Sequence, residues 1–438
     1  MNSIGAYIDD LSGFITASPS PFHAVSEVAR RLTSAGYTRV FEHEPWPGES
    51  TRTEFTVRDG ALIAWALPAA ASAITPFNIV GTHTDSPTFT LKPRPTIETH
   101  GWWQAGVEVY GAPLINSWLD RELELAGRLV ARDGTAQLVR SGPLLRIAQL
   151  AHHLDPHVDK SLSLDRQEQL RPLIGLSSSA RVDVIEILAD FARLNPADVA
   201  GFDVVVADTA PPTRFGLGKE LFAAGRMDNL VSVHAGVVAL LNTHEDSGHV
   251  RVLAAFDHEE VGSASRSGAK GPFLDDVLSR ITQTLGATAS QRQQAFSRSV
   301  CVSADVGHGL HPNYADRHDP ASPPSLDSGP LLKFNANQQY ATDAVGAAYW
   351  RRICDRADVP IQDFVSHNAV PCGSTIGPLT ATRLGIRTVD IGMPLLSMHS
   401  ARELCHVSGP LQLKLAMEAF FASDDDVNPD GRYRAGAS

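Results

Sequence analysis

Five short apolar runs, each closing on polar or charged residues, limit what this chain can fold into: FNIVGTHTD, FDVVVAD, VRVLAAFDHEE, SVCVSAD and RTVDIG. They are β-rich and too short for helices. Elsewhere, RMDNLVSVHAGVVALLNT, DAVGAAYWRRICDRA and GPLQLKLAMEAFFAS space their apolar residues at helical intervals. Strands alternating with helices predict an α/β fold, a mostly parallel sheet flanked by helices. Ligands of such sheets bind beyond the carboxyl ends of the strands, which is where the polar residues fall.

From about residue 92 to 210 the texture changes. VEVYG, then RLVARDGTAQLVR with its Asp133-Gly134 hairpin signal, then LLRIAQLAHHL, which reads as a helix carrying histidines, predict a separate β-rich lobe. The expected organisation is an α/β catalytic domain of residues 1–91 and 211–438 with residues 92–210 inserted. The N-terminal stretch MNSIGAYIDDLSGFITASPS has two Asp and no Lys or Arg, so it reads as an amphipathic helix rather than a signal peptide. The most apolar window, ALIAWALPAAASAI, is too short to span a bilayer as a helix and contains Pro68. The tail SDDDVNPDGRYRAGAS has too few apolar residues to pack and is expected to be disordered.

Charge narrows the partners. With 37 basic and 49 acidic residues the formal net charge is -12, which argues against nucleic acid or an anionic membrane. An anionic substrate would have to be attracted locally. The four cysteines, Cys301, Cys354, Cys372 and Cys405, form no C-x-x-C pair and fit reduced thiols in a cytoplasmic enzyme.

The strand ends supply the chemistry. His83 and Asp85 in GTHTDSP lie two apart on an extended segment and share a face, an arrangement that suits a ligating imidazole oriented by a carboxylate. Asp228 in RMDN precedes a helical pattern, where an Asp either caps the helix or ligates. Glu259 and Glu260 in DHEE diverge as consecutive residues do, so one can hold a metal while the other handles a proton. A dication would also offset their repulsion and desolvation. Asp305 and His308 in ADVGHG and His399 in SMHS complete the set. This nitrogen-and-oxygen inventory suits zinc or a similar first-row dication, and five ligands exceed one tetrahedral site. Two metals sharing a carboxylate would use them all.

In order along the chain, SPSPFHAV, GTHTDSP, GVEVYG with SWLDRELELAGR, ADTAPP, RMDN, DHEEVGS, ADVGH, KFNANQQYAT, PCGSTIGP and SMHSARE resemble the aspartyl aminopeptidases over nearly the whole length. The resemblance implies a dinuclear zinc peptidase that removes N-terminal Asp or Glu from peptides. Asp228 would bridge two zinc ions, with His83 and Asp305 at one and Glu260 and His399 at the other. Glu259 would be the general base and Asp85 the partner that orients His83. His308, Lys333 and Tyr340 would contact substrate, with Lys333 the cation that the negative net charge makes necessary. The inserted lobe would form a dimer interface from which His153, or its neighbour His152, reaches the adjoining active site, and the dimers would build a homo-oligomeric dodecamer. Two alternatives keep the architecture: an aminopeptidase or amidohydrolase for neutral substrates, and a catalytically idle shell protein, which would be expected to have lost the base or a ligand.

Overall fold

The computed structural model describes residues 3–46, 52–158, 160–179, 181–243, 247–425 and 427, so most of the tail on which disorder is expected lies outside the described residues. A nine-stranded sheet runs in the order Thr38–Arg39, Thr53–Arg58, Ala61–Ala66, Val250–Phe256, Phe77–His83, Val300–Ala304, Arg387–Gly392, Leu331–Phe334, Gln362–Val365. The four strands from Val250–Phe256 to Arg387–Gly392 are mutually parallel, and antiparallel pairs appear only outside them. Because Phe256 pairs with His83 and Ala304 with Ile391, the carboxyl ends of these strands lie level along one edge.

Alternation along the strands splits the core. Val80, Leu253 and Val302 face the helices Ile4–Ala17, Pro21–Ser34, Met227–Asn242 and Gly409–Ala422, whereas Ile79, Val252 and Cys301 face Phe273–Thr284 and Ala289–Arg298. The apolar spacing of RMDNLVSVHAGVVALLNT suggests one apolar face. Every residue from Met227 to Leu240 is in fact buried, because the helix packs against both the sheet and Gly409–Ala422.

A second, six-stranded sheet takes all its strands from between Thr88 and Asp208, in the order Ala136–Arg140, Leu123–Ala131, Val199–Asp208, Thr88–Thr99, Trp102–Tyr110, Leu173–Leu176. Its strands pair antiparallel. FDVVVAD belongs here rather than to the large sheet. The hairpin at Asp133-Gly134 is present, with Gly134 at φ +87 and the Asp133 carboxylate accepting from the Thr135 N–H. LLRIAQLAHHL is not helical. Leu145 and Ile147 are buried around an exposed Arg146, and all three make β-bridges, so the period is two. Only His152–Leu154 winds, as a single 3-10 turn.

The sheet edge leaves no room beside Gly392, where a Cβ would stand 1.7 Å from the backbone oxygen of Asp305. Gly392→Ala is therefore expected to push the Asp305 strand end away and destabilise the protein by about 1–3 kcal/mol, the usual cost of overpacking. Denaturant melts check this against Gly13→Ala, a helical position where a Cβ meets nothing and no loss is expected.

Candidate metal centre

Backbone carbonyls set both imidazoles of the strand-end cluster. His83, the last residue of Phe77–His83 and 1% exposed, has Nδ1 3.0 Å from the carbonyl oxygen of Asp85. His399 has Nδ1 3.0 Å from the carbonyl oxygen of Ala112. A carbonyl only accepts, so each Nδ1 carries a proton and, in the neutral ring, each Nε2 presents a lone pair. His83 Nε2 faces Asp228 Oδ1 at 3.3 Å and Asp305 Oδ1 at 3.6 Å. His399 Nε2 faces Asp228 Oδ2 at 3.3 Å and Glu260 Oε2 at 3.5 Å. Asp228 thus turns one oxygen to each imidazole. It lies at the start of Met227–Asn242, but both of its oxygens are turned to the imidazoles instead of capping the N–H groups of the first turn.

Lone pairs aimed at carboxylate oxygens require a cation between them. His83 Nε2, Asp228 Oδ1 and Glu260 Oε1 are buried and have no hydrogen-bond partner among the described residues. Burial, with Asp228 nearby, pushes the Glu260 carboxyl well up, and burial with the Asp305, Asp228 and Asp85 carboxylates takes Glu259 up to about 8. Although burial opposes it, the Asp228, Asp305 and Asp85 carboxylates raise His83, and Asp228 likewise raises His399. The cluster therefore takes up positive charge as protons or as metal. Ligand atoms of His83, Asp228 and Asp305 lie within 4.8 Å of one another, as do those of Asp228, Glu260 and His399 and those of His83, Glu259 and Glu260. Imidazole and carboxylate donors in this arrangement fit zinc.

Around the cluster stands a second set of holders. The Asp85 carboxylate accepts from the N–H groups of Glu259 and Glu260, at 3.1 Å each, and from the Tyr110 hydroxyl at 2.7 Å. Its Oδ1 is also 3.3 Å from His83 Nδ1, but the hydrogen bond to that ring is made by the Asp85 backbone. Glu403, 1% exposed, accepts from the Asp228 N–H at 3.0 Å and the His399 N–H at 2.9 Å. Tyr110 and Glu403 stand inside GVEVYG and SMHSARE, yet nothing local marks them. Tyr110's partner Asp85 is 25 residues away, and Glu403 joins His399, four residues away, to Asp228, 175 residues away.

The cluster forms one wall of a cleft of about 460 Å³. His308, Lys333 and Tyr340 line it as well. Lys333, on Leu331–Phe334, is 1% exposed; its Nζ donates to the Val306 carbonyl at 2.8 Å and sits 5.2 Å from the centre of the Tyr340 ring. Lys270 also lines the cleft and carries no signal in the sequence. The exposed His152 and His153 do not line it. A second cavity, about 390 Å³, touches Asp85 and Tyr110 but none of Asp228, Glu260, Asp305 and His399.

Because Glu403 holds the backbone of two candidate ligands, Glu403→Ala leaves two N–H groups without their acceptor, at about 1–3 kcal/mol each. The expected result is a lower melting temperature together with weaker zinc retention on dialysis, read by melting curves and metal analysis.

The chain matches the family model described as aminopeptidase I zinc metalloprotease (M18) over residues 14–421. It is 50% identical over 420 residues to a probable M18 family aminopeptidase 2 of Streptomyces coelicolor, covering 94% of this chain and 97% of that protein. Among solved structures it is similar to Ape4 in its complex with Nbr1, with a TM-score of 0.92, 35% identity and coverage of 96% and 86% of the two chains. It is also similar to the mApe1 dodecamer of S. cerevisiae, with a TM-score of 0.83, 26% identity and coverage of 94% and 96%. The paired imidazoles around a shared aspartate thus sit in a chain that belongs to the M18 family of zinc metallo-aminopeptidases.

Proposed function

We propose that this aminopeptidase releases N-terminal acidic residues, Asp or Glu, from peptides. The observation that carries this reading is Lys333. Among the described residues the buried ammonium contacts the Val306 carbonyl and the Tyr340 ring and has no carboxylate at salt-bridge distance, the buried Asp390 carboxylate acting on it only from farther off, so a substrate carboxylate entering the cleft would be its direct partner. His308 and Tyr340 would shape the same pocket. In a chain of net charge -12, such a fixed cation is what allows an acidic side chain to dwell beside a carboxylate cluster.

Two zinc ions per subunit are proposed, bridged by Asp228, with His83 and Asp305 holding one and Glu260 and His399 the other. Support comes from the two oxygens of Asp228 facing different imidazoles. Zinc supplies Lewis acidity there, polarising a carbonyl and lowering the pKa of water. Glu259 is the general base, taking a proton from the attacking water on its carboxylate and returning it to the leaving amine. Asp85, by accepting from the backbone of Glu259 and Glu260, keeps the two carboxylates divergent. Its backbone carbonyl holds the ring of His83.

Residues 92–210 are proposed as the dimerisation lobe of the two-part catalytic domain 1–91 and 211–438. From it His153 would reach the neighbouring subunit's cleft, and dimers would assemble further into a dodecamer. The exposed Leu150 and Leu154 flanking His153, 59% and 72% accessible, favour a covered state for this turn, and the S. cerevisiae neighbour is a dodecamer. A cytoplasmic location is supported by four free cysteines, three of them buried. Among the described residues no helix is long and apolar enough to cross a membrane.

Hydrolysis of aspartyl, glutamyl and leucyl amides tests the specificity. Lys333→Ala should cost about 1.5–3 kcal/mol in kcat/KM on the acidic amides and little on the leucyl amide. Equal losses on all three would remove Lys333 from substrate selection. The zinc assignments are tested separately: Glu259→Gln should retain two equivalents of zinc and lower kcat by about 10²–10⁴-fold, whereas Glu260→Gln should lose one equivalent on dialysis.

A further inference from the structure

The cleft does not end at its far wall. His308, Tyr340 and Gly373 also line an adjoining cavity of about 280 Å³, to which the turn Pro312–Arg317 and the segment from Phe364 to Pro371 contribute further lining residues. Among the described residues lining that cavity none is Asp or Glu, in a chain that carries 49 of them. Four imidazoles, those of His308, His311, His318 and His367, and the guanidinium of Arg317 line it instead. The backbone bridge between His318 and Ser366 ties its two sides together.

Two of these rings have a defined polarity. His311 Nδ1 accepts the N–H of Asn313 at 3.2 Å, and His367 Nδ1 accepts the N–H of Ala369 at 3.1 Å. A nitrogen that accepts carries no proton, so in both neutral rings Nε2 is the donor. The His311 ring is further braced against Tyr314, with centroids 4.9 Å apart. Partial burial and the proximity of His311 hold His318 below its ordinary basicity, the effect of crowding imidazoles where no carboxylate balances them. Arg317 is paired loosely with its neighbour Asp316, at 3.7 Å and mostly in solvent. Fixed N–H donors, a guanidinium and no lining carboxylate make a receptor for an oxyanion.

We propose that this cavity seats a carboxylate carried by the part of the peptide that follows the scissile bond, either the terminal carboxylate of a short peptide or an acidic side chain. The inference rests on the reading that the cleft between the imidazole cluster and Lys333 holds a peptide's N-terminal residue. With that residue's side chain on Lys333, a carboxylate farther along the peptide would meet the donors of the adjoining cavity, which shares His308, Tyr340 and Gly373 with the cleft. The protein would then read two carboxylates, one on each side of the bond it cuts.

The test uses the zinc-loaded full chain and three tripeptides: Asp-Ala-Ala as the free acid, its C-terminal amide, and the amide of Asp-Ala-Glu. The free acid should exceed its amide in kcat/KM by roughly tenfold or more, the scale of one charge-assisted hydrogen bond. A comparable gain for the Asp-Ala-Glu amide assigns the seat to side-chain carboxylates as well, and its absence restricts it to chain termini. In Arg317→Ala and His367→Gln the ratio of free acid to amide should fall below about threefold, because the ratio within each variant cancels changes in folding or metal content. Calorimetric binding of the uncleaved free acid and amide to Glu259→Gln reads the same ratio without turnover. A wild-type ratio near one, or variants that keep the full ratio, overturns the carboxylate seat while leaving selection of an N-terminal acid standing. An intact ratio for peptides beginning with Leu, cleaved as fast as those beginning with Asp, supports the seat and overturns the role of Lys333.

Discussion

Asp228 turns one oxygen toward His83 and the other toward His399, and most of what surrounds the cleft follows from keeping that geometry in place. Each imidazole has spent one nitrogen on a backbone carbonyl, so the nitrogen left over meets carboxylates only. Such an arrangement is unfavourable in itself and becomes favourable when positive charge enters. The protein meets the cost with backbone: Glu403 grips the N–H groups of Asp228 and His399, and Asp85 those of Glu259 and Glu260. These four hydrogen bonds keep mutually repelling carboxylates from relaxing apart.

The level carboxyl ends of four parallel strands make this possible. His83 closes one strand, and the Glu259–Glu260 pair and Asp305 follow the ends of its two neighbours. His83, Glu259, Glu260 and Asp305 are legible in the sequence because each follows an apolar run of strand length, where an acid or histidine has few structural uses, whereas Asp228 before its helix reads equally as a cap. The holders are not legible for the opposite reason. Glu403 looks like an ordinary acid in SMHSARE until a partner 175 residues earlier in the chain is brought beside it. Asp85 stands two residues from His83, a spacing that suggests a carboxylate-imidazole pair, yet its carboxylate is largely occupied with the next strand end.

Helix and strand periods misled in two instructive places. LLRIAQLAHHL reads as helical because its apolar residues are dense, but Arg146 projects outward between buried Leu145 and Ile147, the signature of a strand edge. Met227–Asn242 reads as one-sided, and burial on every side shows what spacing alone omits: a helix at the centre of a large domain has no solvent face to declare. Lys333 belongs with these cases. On a short strand a lysine ordinarily points to water, and only the assembled sheet shows this one enclosed with its head group against the Val306 carbonyl.

The long reach of the Glu403 clamp bears on how the molecule comes into being. Asp228 is synthesised 175 residues before the acceptor that fixes its backbone, which lies on Glu403–His406. A growing polypeptide can complete the inserted sheet and much of the large sheet while this tether is still missing. The geometry of Asp228 is therefore set only after Glu403 has been synthesised, so the order of synthesis separates the folding of the sheets from the setting of the site.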